Sequence, residues 1–154
     1  MSYHNGSVWP HDSALIAAGL ARYGFKREAM RIFRGIFAAS TYVDLRRLPE
    51  LFCGFARQVT RGPTFYPVAC APQAWAAAAP LYLLQSCLGL GFDPARAHLT
   101  FEDPRLPDFI GEVTLRNLTV VDGTSVDVML RRSGSQVVVD VLDRRGPVKV
   151  ITTA

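Results

Sequence analysis

Residues 10–40 read PHDSALIAAGLARYGFKREAMRIFRGIFAAS, two helical phrases separated by a glycine. Pro10 suits a first helical turn, where its missing N–H has no intrahelical partner to lose. Asp12 falls near the positive end of the helix dipole. Leu15, Ile16, Gly19, Leu20 and Tyr23 recur at helical spacing along one face. Gly24 then supplies a left-handed stop. The second phrase, Lys26 to Ser40, sets Ala29, Met30, Ile32, Phe33, Ile36 and Phe37 at the same period. So short a link predicts an antiparallel helical hairpin.

Working outward, a third helix is predicted from Pro72 or Gln73 to Leu88, with Gly89 as its stop. Its stretch from Ala74 to Leu84 is apolar on most sides, which predicts burial on several faces. Pro80 removes one hydrogen bond and predicts a bend there. Past residue 92 the composition changes. A connector rich in proline and charge runs from Asp93 to Asp108, and from Ile110 the apolar period becomes two. Val113 and Leu115 alternate, then Leu118 and Val120 alternate on the opposite parity, which predicts a bulge at Arg116 and Asn117. Asp122-Gly123 is a hairpin signal. Val126, Val128 and Leu130 form a further strand, and Val137, Val139 and Val141 another after Ser133-Gly134. Arg145-Gly146-Pro147 turns the chain into Val148 and Val150. The expected fold is therefore α+β: helical hairpins over 1–92, a connector over 93–109, and a four-stranded antiparallel meander over 110–154. Such a sheet needs a covering layer and should pack on helices.

Composition bounds the function. The 154 residues suit one domain, and 49% apolar residues supply a core. Only 19% are charged. That low share predicts apolar faces to be covered by another chain, by a missing part of the fold or by self-association. The 17 basic residues outnumber the 13 acidic ones but are scattered. No basic run alternates with aromatics, so nucleic-acid binding is not expected. Residues 69–90 come nearest to a membrane span, but Pro72, Gln73, Pro80 and Gln85 interrupt them. The first residues lack a signal-peptide layout. Cys53, Cys70 and Cys87 are odd in number and lack metal spacing, which predicts a reduced, cytoplasmic setting. His4, His11 and His98 form no helical H-x-x-x-H pair, and Gly89-Leu90-Gly91 lacks the third glycine of a nucleotide loop. No metal or cofactor is expected.

Three strings carry candidate chemistry. Tyr3-His4-Asn5-Gly6-Ser7-Val8-Trp9-Pro10-His11-Asp12 crowds aromatic and hydrogen-bonding side chains into a loop that opens a helix. Aromatic rings stack on the apolar faces of sugars while Asn, His and Asp hold hydroxyls. A plain capping loop with Trp9 as core filler reads equally from composition. In Leu48-Pro49-Glu50-Leu51-Phe52-Cys53-Gly54-Phe55 a carboxylate lies among apolar neighbours, a setting for proton transfer, or simply for the first turn of a short helix. In Tyr66-Pro67-Val68-Ala69-Cys70-Ala71-Pro72-Gln73-Ala74-Trp75, the residues Tyr66, Gln73 and Trp75 line a pocket mouth or fill a core. Cys70 has no neighbouring base in sequence and reads as an inert thiol.

In this order the three strings resemble the C-terminal part of bacterial amylo-α-1,6-glucosidase, glycogen-debranching-type glycoside hydrolases, over residues 3 to about 90. Asn5-Gly6 followed by Trp9-Pro10 and then Glu50 is also similar to the Asn-Gly-Trp-Ala-Pro loop and later glutamate of the trehalases. The spacing departs by the two residues between Gly6 and Trp9. The resemblance implies the last hairpins of a six-hairpin (α/α) toroid acting on an α-glucan-like carbohydrate. It implies Glu50 as general base, with Tyr3, His4, Asn5, Trp9, His11, Asp12, Phe52, Tyr66, Gln73 and Trp75 as sugar contacts. In that family the general acid lies upstream of the Asn-Gly loop, where only a few residues stand here. Asp12, a first-turn residue, and Asp44, beside Arg46 and Arg47, are poor replacements. The chain by itself is therefore expected to be inactive. A sugar- or partner-binding module and a truncated remnant are the alternative readings.

Overall fold

Residues 3–58 and 60–154 are described by a computed structural model, and they form an α+β chain with three helices and three small sheets. The chain divides into two compact units, Met1–Leu84 and Gln85–Ala154. In the first, a two-residue strand β1 (Ser7–Val8) leads into helices α1 (Pro10–Arg22) and α2 (Lys26–Ser40). Pro10 and Asp12 occupy the first turn of α1. Gly24, at φ +86°, ends the hairpin's first arm. The Gly24 and Phe25 N–H groups close on the carbonyls of Ala21 and Leu20 at 3.1 and 2.8 Å.

The helical spans follow the sequence, but the face that α1 buries does not. Ala14, Ala17 and Ala21 are buried, whereas Leu15 and Ile16 are 58% and 59% exposed. α1 packs on α2, whose buried face carries Ala29, Phe33 and Ile36. Small alanines let the two backbones approach, so the larger α1 residues turn outward. The third helix, α3 (Ala74–Leu88), buries one stripe, Ala76, Ala79, Leu83 and Cys87. This corrects the expected burial on several faces: Trp75, Leu81 and Tyr82 are exposed. Among the described residues no helix is long and apolar enough to cross a membrane.

Between α2 and α3 the chain passes through a short 3-10 turn, Asp44–Arg46, and strand β2 (Phe52–Cys53). Leu45 and Arg46 both take left-handed φ, 51° and 55°. That conformation costs an L-residue roughly 1–2 kcal/mol, and it aims the chain into the extended run ending at Glu50. Leu48 and Leu51 are fully buried on either side of that run.

The second unit holds two sheets. Strands β3 (Leu90–Asp93) and β4 (His98–Glu102) form an antiparallel hairpin. Strands β5 (Glu112–Leu118), β6 (Ser125–Ser133) and β7 (Gln136–Arg145) form an antiparallel meander. The expected fourth meander strand is corrected here: β8 (Lys149–Thr153) leaves the meander and pairs in parallel with β4. The presumed connector thus contains a central strand, whose Leu99 and Phe101 are wholly buried. Burying two such side chains is worth roughly 1.5–3 kcal/mol each. The register shifts between Leu115 and Leu118, as the parity slip implies. Asn117 takes φ 54° there, and its N–H donates to Asp127 Oδ1 at 2.7 Å.

One close approach in the first unit has a direct consequence. The Gly54 N–H donates to the Gly6 carbonyl at 2.8 Å, and a Cβ on Gly54 would lie 2.2 Å from that oxygen. Gly54→Ala should push the two strands apart and cost about 1–3 kcal/mol of stability. Urea unfolding followed by tryptophan fluorescence measures this, since Trp9 and Trp75 are the chain's two tryptophans.

Candidate active site

Backbone pairing gathers the three strings. Ser7 and Val8 pair with Cys53 and Phe52 in antiparallel register. On the other side, Phe52 bridges Phe65, and the Cys53 N–H donates to the Thr64 carbonyl at 2.9 Å. The Glu50 N–H donates to the Cys70 carbonyl at 2.8 Å, and the Gln73 N–H to the Leu48 carbonyl at 3.2 Å. The run from Leu48 to Gly54 is therefore the middle of three adjacent segments. The loop before α1 lies along one edge and the segment entering α3 along the other.

Glu50 is half-buried in this junction. The Tyr3 hydroxyl donates a hydrogen bond to Glu50 Oε2, and the Cys70 N–H reaches the same oxygen at 3.4 Å. Around the pair runs a row of rings. Tyr3 meets Tyr66 and Trp9 edge-on, at centroid separations of 5.2 and 5.6 Å. His4 lies parallel to Trp9 at 5.7 Å. Trp9 meets His11 edge-on at 5.8 Å, and His11 stacks on Trp75 at 4.6 Å. Edge-to-face pairs such as Tyr3–Tyr66 add roughly 0.5–1.5 kcal/mol beyond buried area, so the row is a fixed wall. All these residues belong to the first unit.

The remaining candidates differ in setting. His11 Nε2 is 3.0 Å from Asp12 Oδ1, while His11 Nδ1 is buried without a hydrogen-bond partner among the described residues. Asp12 itself is exposed in the first turn of α1. Asn5 is exposed on the loop. Gln73 Oε1 accepts the Ala74 N–H at 3.0 Å at the start of α3, which commits that oxygen to the helix end. Phe52 is 3% exposed and tilts against Phe65 at 5.7 Å, so its ring serves packing more than contact with solvent or ligand. From the sequence Cys70 reads as an inert thiol. Its contribution is its backbone, which meets Glu50 twice, and no side-chain rule exposes that. A cleft of about 600 Å³ in the same unit is lined by Ile32, Ile36, Tyr42, Phe55, Arg57 and Arg61, among others. It includes Phe52 but neither Glu50 nor Tyr3, so this cleft and the carboxylate site are distinct.

Among the described residues no group of three His, Cys, Asp or Glu side chains could hold a metal ion. Compared with known proteins, the chain matches no family model and no curated protein.

The Tyr3 hydroxyl is pushed up to about 12 from 10.0, first by its hydrogen bond to Glu50, then by burial and by the carboxylate's negative charge. A proton held more tightly in the native state stabilises it fully below the unfolded value, and this is lost as pH rises through the folded one. Stability should therefore decline between about pH 10 and pH 12. In Tyr3→Phe the decline over that window should be shallower, as urea midpoints across it will show.

Proposed function

We propose that this chain is the base-bearing C-terminal part of an (α/α)-toroid glycoside hydrolase of the amylo-α-1,6-glucosidase type, acting on an α-glucan-like sugar. The observation that carries the reading is Glu50, half-buried and flanked by Tyr3, Tyr66 and Cys70 in an aromatic-walled junction. A glycoside hydrolase needs two carboxyl groups across the scissile bond, roughly 6.5–9.5 Å apart in an inverting enzyme. On this reading Glu50 takes a proton from water, and the water oxygen attacks the anomeric carbon. A carboxylic acid, placed by the resemblance upstream of Asn5-Gly6, protonates the departing oxygen. Trp9, His4, Tyr66 and Trp75 supply ring faces for the sugar.

The exposed apolar side chains on α1 and α3 support the toroid part of the reading. Leu15, Ile16, Tyr23, Leu81 and Tyr82 are faces that further hairpins, or another copy of the chain, would cover. Cys53, Cys70 and Cys87 are not joined in disulfides, which fits a reducing, cytoplasmic setting. A second reading, a sugar-binding module without hydrolysis, is favoured by the same row of rings, since stacking needs no acid. An inactive remnant of the hydrolase is the third.

Both tryptophans lie in the ring row, which makes intrinsic fluorescence a local probe. Titration with maltose should change that emission saturably, and Trp9→Phe should remove most of the response. Hydrolysis of maltose by the chain alone should stay at background. No saturable change at any maltose concentration would contradict the sugar site, and turnover by the chain alone would contradict the missing acid.

A further inference from the structure

Among the described residues the Glu50 carboxylate has two donors, and both fall on one oxygen. The Tyr3 hydroxyl and the Cys70 N–H engage Oε2, while no described residue donates to Oε1. The backbone of Glu50 is fixed as well, because its N–H donates to the Cys70 carbonyl at 2.8 Å. A glutamate carries three side-chain torsions, and a general base works only if its free oxygen points at the water it deprotonates. We propose that Tyr3 is a positioning residue for Glu50: with the Cys70 N–H it anchors Oε2 and leaves Oε1 as the oxygen that takes the proton from water. This rests on the reading of Glu50 as the base, and it gives Tyr3 a role other than holding sugar. Its hydroxyl proton is committed to the carboxylate. Its ring is held on three sides by His4, Trp9 and Tyr66, so the hydroxyl cannot swing toward a ligand without breaking those contacts.

The groups facing the Tyr3 hydroxyl are Glu50, Cys70 and Tyr66, with the His4 ring beside it. Of these, the hydrogen bond to Glu50 is the largest influence on its ionisation. The coupling can be read on the chain as it stands by NMR with tyrosine labelled at Cζ. In the parent, one tyrosine should titrate at about 12. In Glu50→Gln that resonance should fall back toward the ordinary 10.0. A second measurement, at neutral pH, follows the Glu50 γ-methylene couplings in Tyr3→Phe. The single rotamer of the parent should give way to averaging while near-ultraviolet circular dichroism stays the same. A Tyr3 titration unchanged in Glu50→Gln, or a Glu50 side chain still locked in Tyr3→Phe, overturns the proposal. Neither readout uses sugar, so a failed maltose titration leaves this coupling standing. A failed coupling leaves Glu50 as base with Tyr3 reduced to a ring in the wall.

Discussion

The junction along Leu48–Gly54 is the constraint on which the first unit depends. Its backbone meets the N-terminal loop on one edge and the 64–73 segment on the other. Unpaired buried amides each cost about 1–3 kcal/mol, so the three segments hold one another in place or none is held. Glu50 sits at the crossing, bound to Cys70 by both its backbone and its side chain. The placement of a carboxylate among rings is thus a by-product of how three strands of irregular chain satisfy their amides.

From that crossing the chemistry follows in order. Tyr3 is pinned by the carboxylate and by three rings, Trp9 is pinned by Tyr3 and His4, and Trp75 by His11. The result is an aromatic wall with the Glu50 carboxylate against it. The wall does not coincide with the cleft of about 600 Å³ that Phe52, Arg57 and Arg61 help to line.

Local signals were legible in the sequence where the physics is local. Pro10, Gly24 and Gly89 bound their helices as read, and the parity slip at Arg116-Asn117 is a bulge held by Asp127. Non-local choices were not legible. Periodicity cannot tell whether α1 buries its leucine face or its alanine face, because the answer depends on how near α2 comes. Val148 and Val150 alternate identically in an antiparallel meander and in a parallel pairing with β4. His98–Glu102 was hidden between Pro94 and Pro104, though Leu99 and Phe101 alternate as a strand should. At the site, residue types pointed to Tyr3, Trp9, Glu50 and Tyr66, which lie together. Nothing in residue type marks the Cys70 amide as a donor to Glu50, since backbone donors carry no sequence signature.

The central claim concerns what the carboxylate at position 50 does to water. The most direct measurement compares parent and Glu50→Gln forms of this chain carried within a complete toroid, following both sugar binding and release of glucose from an α-glucoside. Binding should persist while hydrolysis falls by roughly 10²–10⁴-fold, the usual share of one proton-transfer group. Hydrolysis at the parent rate would contradict the account.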